Sequence, residues 1–170
     1  LRWPIKQWPI ENFAKLCDEL AKLNIRVVIT GSAEDSGVAE ELFRLTRNKP
    51  INAIGKTSIT ELVSLNRRCQ DIISSDSAPM HIASSVNVPL LAIFGPTDPK
   101  RHLVPPEHYQ VFAKEVPCGP CYLRNCPIGL VCMKKITVQE ILESVLHFLH
   151  EQRPGQPVFK ELGAGAPGGS

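Results

Sequence analysis

Apolar residues along this chain follow two rhythms, a three-and-four spacing and short continuous runs, and the two trade places from the first residues to about position 150. From Pro9 to Asn24 the residues Ile10, Phe13, Leu16, Cys17, Leu20 and Leu23 share one helical stripe. Ile25 to Thr30 is a run rich in β-branched residues, the pattern of a strand covered on both faces. Val38, Leu42 and Leu45 predict a second helix over Ser36 to Asn48, followed by a short strand at Ile51 to Ile54. Ser58 with Glu61 forms a capping-box pattern that opens a helix running to Cys69. Asp71 to Ser74, Val88 to Phe94 and Tyr109 to Ala113 read as strands, with a helix from Ala78 to about Val86 between the first two. Thr137 to Gln152 is a last amphipathic helix, carrying Val138, Ile141, Leu142, Val145, Leu146 and Leu149 on its apolar stripe.

Such alternation predicts parallel strands joined by right-handed crossovers, an α/β class with a Rossmann-like parallel sheet flanked by helices. Ligands in that class lie beyond the carboxyl ends of the strands. Gly31, Asp76 and Gly95 each follow the end of a predicted strand, so three turns are expected on one edge. Residues 1–152 are expected to form the domain. Residues 153–170, dominated by Pro, Gly and Ala, read as a flexible tail with too little apolar content to pack.

Composition narrows the partners. The net charge is +2 with Lys and Arg scattered, and no basic stripe interleaved with aromatics points to nucleic acid. The longest apolar runs fall far short of the ~20 residues that span a bilayer, so no transmembrane segment is expected. The chain begins at Leu1 and not at Met, which predicts that an upstream part is missing.

The candidate chemistry sits in those turns. Ser75-Asp76-Ser77-Ala78-Pro79-Met80-His81 joins a strand to a helix with good N-cap residues and a Pro in the first turn. Free N–H groups at such a helix start, with the positive end of its dipole, suit a phosphate or pyrophosphate. Ser77 adds a hydroxyl, and His81, four residues on, can share its side. An ordinary capped helix with a packing His would look the same. Lys6, between two Trp-Pro pairs, is a compact charge suited to a diphosphate, or a solvated surface Lys. Gly31 permits a tight turn, and Asp35 can accept hydrogen bonds from ribose hydroxyls, or simply cap its own helix. Gly95-Pro96-Thr97-Asp98 is a turn in which Thr97 and local N–H groups could line a pocket. Cys118, Cys121, Cys126 and Cys132 form a CxxC-x4-C-x5-C cluster. A structural zinc, one or two disulfides and free thiols all stay open there, although the second half lacks knuckle spacing. Cys17 and Cys69 are expected to be buried small hydrophobes. The cluster, just before the last helix, is expected to lie away from the strand-edge turns as a structural staple.

In order and spacing, Lys6-Gln7-Trp8-Pro9, Gly31-Ser32-Ala33-Glu34-Asp35, Asp76-Ser77-Ala78-Pro79-Met80-His81 and Phe94-Gly95-Pro96-Thr97 resemble four signatures of the bacterial ADP-heptose:lipopolysaccharide heptosyltransferases. The resemblance covers roughly residues 3 to 150. Ala78 stands where that family usually has Gly, a departure that limits how closely the backbone can approach a phosphate. The resemblance implies the C-terminal, donor-binding domain of a two-domain GT-B-type glycosyltransferase. It implies transfer of heptose from ADP-heptose to the lipopolysaccharide inner core with inversion. Lys6, Gly31, Asp35, Asp76, Ser77, Ala78, His81, Gly95 and Thr97 are then the donor-binding residues. The general base and the acceptor contacts would belong to the missing N-terminal domain, so no catalytic residue is expected here and the chain alone should bind donor without transfer. No cofactor is required, since no Asp-x-Asp pair is present to bridge a cation to phosphate. A cytoplasmic enzyme, peripheral on the inner membrane, is the implied setting. Two alternatives stand beside it: a different nucleotide-sugar enzyme, and a non-catalytic binding module held by its cysteine loop.

Overall fold

A computed structural model describes residues 3–152 of the chain. The predicted tail, 153–170, lies outside the described residues. After a 3-10 turn at Pro4–Lys6, the chain runs through α1 (Ile10–Lys22), β1 (Val28–Ile29), α2 (Ser36–Leu45) and β2 (Ile51–Asn52). It continues through α3 (Ile59–Asn66), β3 (Ile72–Ser75), α4 (Ala78–Ser85), β4 (Leu90–Ile93) and α5 (Pro99–His102). It closes with β5 (Tyr109–Phe112), α6 (Val131–Lys134) and α7 (Val138–Gln152). All strand pairs are parallel: β1 with β2, and β4 between β3 and β5.

The sheet around β4 is the centre of the packing. Because successive strand side chains point to opposite faces, Leu91 and Ile93 enter a core with Trp8, Met133, Ile136 and Ile141. Leu90, Ala92 and Phe94 go to the other face, against Met80 and Ala83 of α4. All four β4 residues are buried. The strand covered on both faces is therefore β4. The Ile25–Thr30 run behaves differently from its prediction: only Val28–Ile29 pair, and both are half-buried. Its partner β2 is exposed, so nothing covers that side of the two-stranded ladder as fully as helices cover β4.

Local chemistry explains most boundaries. Ser58 accepts from the Glu61 N–H while the Glu61 carboxylate accepts from the Ser58 N–H at 2.8 Å, which starts α3. Thr137 and Glu140 make the same reciprocal pair ahead of α7. Helix α2 ends at Leu45, three residues before its predicted end, because Asp18 of α1 captures the Arg47 and Asn48 N–H groups at 2.9 and 2.8 Å. Helix α3 likewise stops at Asn66, short of Cys69. Cys17 is buried in α1, and burial together with the Asp18 charge pushes its thiol up to about 11. Cys69 is only half-buried, short of the burial expected of it, and burial with the nearby Asp71 charge raises its thiol.

Candidate functional site

Strand register decides which turns meet. Ser75 pairs with Ile93, so the chain leaves β3 and β4 at the same level, and the Asp76 N–H still donates to the Ile93 carbonyl at 3.2 Å. Asp76 therefore emerges beside the Phe94–Asp98 turn. Its side chain is only 5% exposed. One oxygen, Oδ2, accepts from Lys6 Nζ at 2.6 Å and from Thr97 Oγ1 at 2.7 Å. Three separate sequence turns thus close on one carboxylate, across separations of 70 and 21 residues.

Lys6 is fixed from both directions. The next motif residue, Trp8, is fully buried and donates Nε1–H to the Ile136 carbonyl at 3.0 Å, anchoring the segment in the core. Trp3 lies on the other side, with Lys6 Nζ 4.4 Å from its ring centroid, a cation–π distance. Lys6 keeps 16% exposure. An ammonium has three donors, so after one goes to Asp76 two remain for an anion at the surface. Asp76 and Thr97 are both buried, and the Thr97 hydroxyl donates to the Asp76 carboxylate.

The α4 start has the expected shape with one difference. Ser77 is the N-cap, but its hydroxyl donates to the Ser75 carbonyl at 3.1 Å and caps no helix N–H. Pro79 occupies the first turn, and Ala78 and His81 are exposed. The helix N-terminus is left without a side-chain cap, with His81 one turn along it.

Gly31 and Asp35 form a second group, after β1. The Gly31 carbonyl accepts from the Gly55 N–H at 2.9 Å. A Cβ on Gly31 would fall 2.8 Å from Ile54 Cδ1 and 3.0 Å from Asp35 Oδ2, which is why the turn takes glycine. Asp35 Oδ2 accepts from both the N–H and the hydroxyl of Ser32 at 2.9 Å. The carboxylate therefore caps its own turn, the local alternative foreseen for it. At Gly95 the crowding comes from Met133, whose Sδ would lie 2.8 Å from a Cβ.

The cysteine segment corrects an expectation. It does not lie away from the strand-edge turns. Tyr122 donates its N–H to the Pro96 carbonyl at 2.9 Å and accepts from the Asp98 N–H at its hydroxyl, 3.3 Å. Trp3 Nε1 donates to the Leu123 carbonyl at 2.6 Å. Tyr122 and Leu123 carried no motif, and only the folded chain brings them here. All four clustered cysteines are unpaired, and among the described residues no three His, Cys, Asp or Glu side chains gather into a metal-binding group. Cys126 Sγ accepts from the Leu130 N–H at 3.2 Å; this bond, with those from Ile128 and Gly129 and the nearby Lys134 charge, holds its thiol below the ordinary range. Burial raises the Cys132 thiol. A surface depression of about 290 Å³ lined by Cys17, Arg26 and Lys49 lies at the opposite, amino-terminal ends of β1 and β2, away from all these turns.

Parallel strands flanked by helices, with glycine and carboxylate turns at their carboxyl ends, define a Rossmann-like α/β fold of the GT-B type. The model of glycosyltransferase family 9 (heptosyltransferase) matches residues 2–132, and the chain belongs to that family of enzymes. It is 40% identical over 101 residues to lipooligosaccharide heptosyltransferase 2 of Haemophilus influenzae, covering 57% of this chain and 29% of that protein. It is 26% identical over 151 residues to lipooligosaccharide heptosyltransferase 2 of Campylobacter jejuni, covering 85% and 47%. The solved structure of E. coli ADP-heptose lipopolysaccharide heptosyltransferase II superposes with a TM-score of 0.74 at 27% identity, over 88% of this chain and 44% of that one. The chain thus spans less than half the length of each of these relatives. No helix among the described residues is long and apolar enough to cross a membrane.

Proposed function

We propose that this chain is the donor-binding half of an enzyme that transfers heptose from ADP-heptose to a lipopolysaccharide inner-core acceptor, with inversion. The observation that carries the reading is the convergence of Lys6 and Thr97 on buried Asp76 beside the uncapped start of α4. The relatives named as heptosyltransferases, one of them an ADP-heptose enzyme, support the donor class. In this reading Lys6, His81 and the amides near Ala78 receive the diphosphate, Ser77 turns its hydroxyl from the Ser75 carbonyl to join them when the donor binds, and the turn from Gly31 to Asp35 faces the nucleoside. Gly95 lets the Thr97 turn pack closely.

The chemistry assigned to this half is electrostatic. As the bond from the anomeric carbon to the diphosphate breaks, negative charge grows on the leaving ADP. A preorganised ammonium and helix-terminal N–H groups stabilise that charge more than the ground state. The Lys6–Asp76 bond matters because a fixed ammonium needs no reorganisation at that moment. The acceptor's activating base and the acceptor site belong, in this proposal, to the rest of the enzyme. Its setting would be the cytoplasmic face of the inner membrane, where a core acceptor is presented.

Calorimetric titration of the chain with ADP, UDP and GDP tests the reading. ADP is expected to bind most tightly. His81→Ala should weaken ADP binding by about one to two decades, the size of a hydrogen bond to a charged group, while leaving the melting temperature nearly unchanged because His81 is exposed. A chain that stays folded and ignores ADP at millimolar concentration overturns the assignment.

A further inference from the structure

The segment between the second and third clustered cysteines reaches the neighbours of both partners of Asp76: Pro96 and Asp98 beside Thr97, and Trp3 against Lys6. Tyr122 has φ +52, a left-handed backbone that side chains other than Gly, Asn and Asp adopt only at a cost. In that conformation its N–H meets the Pro96 carbonyl at 2.9 Å and its hydroxyl meets the Asp98 N–H at 3.3 Å. These two bonds bracket Thr97, the residue between them. Tyr122 also lies against His102 of α5, with ring centroids 5.8 Å apart. One residue on, the Leu123 carbonyl holds the Trp3 indole N–H at 2.6 Å, and the Trp3 ring carries Lys6.

Bonds of 24 and 120 residues' separation do not arise from the loop's own turns. Residues 117–130 are mostly exposed, so these contacts are a large part of what holds the loop in place. The loop in turn limits where Thr97 and Lys6 can go.

We propose that Tyr122–Leu123 is a positioning element of the anion site: Tyr122 fixes the turn that carries Thr97, and the Leu123 carbonyl fixes Trp3 and through it Lys6. The cysteine loop then sets the geometry in which the donor diphosphate is received. This rests on the donor-site reading above for the identity of the ligand, but the positional coupling exists without ligand. Neither residue touches the reacting atoms; both act through others.

Two substitutions isolate the bonds. Tyr122→Phe removes the hydroxyl and keeps the ring and the backbone N–H. Trp3→Phe removes the indole N–H and keeps an aromatic face for Lys6. Each is made in the full 170-residue chain and read by three measurements: amide hydrogen exchange at Asp98, the NMR resonance of the Lys6 side chain, and ADP titration. Tyr122→Phe is expected to speed Asp98 exchange several-fold. Trp3→Phe is expected to shift the Lys6 resonance. Each should weaken ADP binding about three- to tenfold, the range for one neutral hydrogen bond, with melting temperatures within about 3 °C of the parent. Unchanged Asp98 exchange and an unchanged Lys6 resonance overturn the positioning role. So does unchanged ADP affinity in both variants when the parent binds ADP. If the parent does not bind ADP, the donor reading fails by itself, and exchange and resonance alone decide the positioning role in either direction.

Discussion

Asp76 is the residue on which this site turns, and its burial makes its partners unequal. Removing one member of a buried ion pair leaves the other charge uncompensated, at a cost of about 3–5 kcal/mol. Lys6 is 16% exposed and can find water, whereas Asp76 is 5% exposed and cannot. Lys6→Met, which strands the carboxylate, is therefore expected to destabilise the chain more than Asp76→Asn, which strands only the partly exposed ammonium. Urea unfolding of the two variants side by side checks the order; the reverse order would mean that Asp76 is less buried in solution than this packing implies. At the same scale, the positions of the motif residues were legible in the sequence, but the contacts they make with one another were not. Asp76 and Thr97 were legible as residues of turns that follow predicted strands. That they face each other inside the protein depends on register, which no local pattern encodes.

Helix ends carry the clearest correspondence between sequence and structure at the scale of the element. The Ser58–Glu61 box is a local interaction and forms where its spacing predicts. The Thr137–Glu140 box has the same spacing and the same logic, and it opens α7. Glu140 does more than cap. Its hydrogen bond from Lys114, reinforced by the Thr137 N–H, holds its carboxyl at about 2. The unfolded value is about 4.3, so the folded value is depressed. The resulting stability is fully present above about pH 4.3 and is lost as pH falls from there toward 2. Glu140 is 37% exposed, so solvent screening limits the contribution to about 1 kcal/mol. Glu140→Gln should remove that part of the acid dependence and leave a flatter stability profile between pH 4.3 and 2, measurable by denaturant unfolding across the window. The strand lengths were less legible. A β-branched run states that a segment prefers extended backbone, but β1 is two residues long because pairing partners, and not propensity, end a strand.

At the scale of the whole molecule, the chain belongs to an enzyme family with members longer than itself, and the proposed donor site lies on the part it spans. With the acceptor base assigned elsewhere, the chain is expected to bind ADP and to leave heptose untransferred when mixed with ADP-heptose and a lipopolysaccharide acceptor. Transfer above background by the 170-residue chain would put the general base within it. By itself the sequence determined the α/β class, the alternation of elements, the capping boxes and the turns that hold Lys6, Gly31, Asp35, Asp76 and Gly95, because periodicity, caps and turns act over a few residues. Only the tertiary structure decided that Lys6 and Thr97 share the Asp76 carboxylate, and that the cysteine loop lies against the same turn through Tyr122 and Leu123. Those contacts join residues far apart in the chain, where the deciding quantities are strand register and close packing, and neither leaves a mark on the residues nearby.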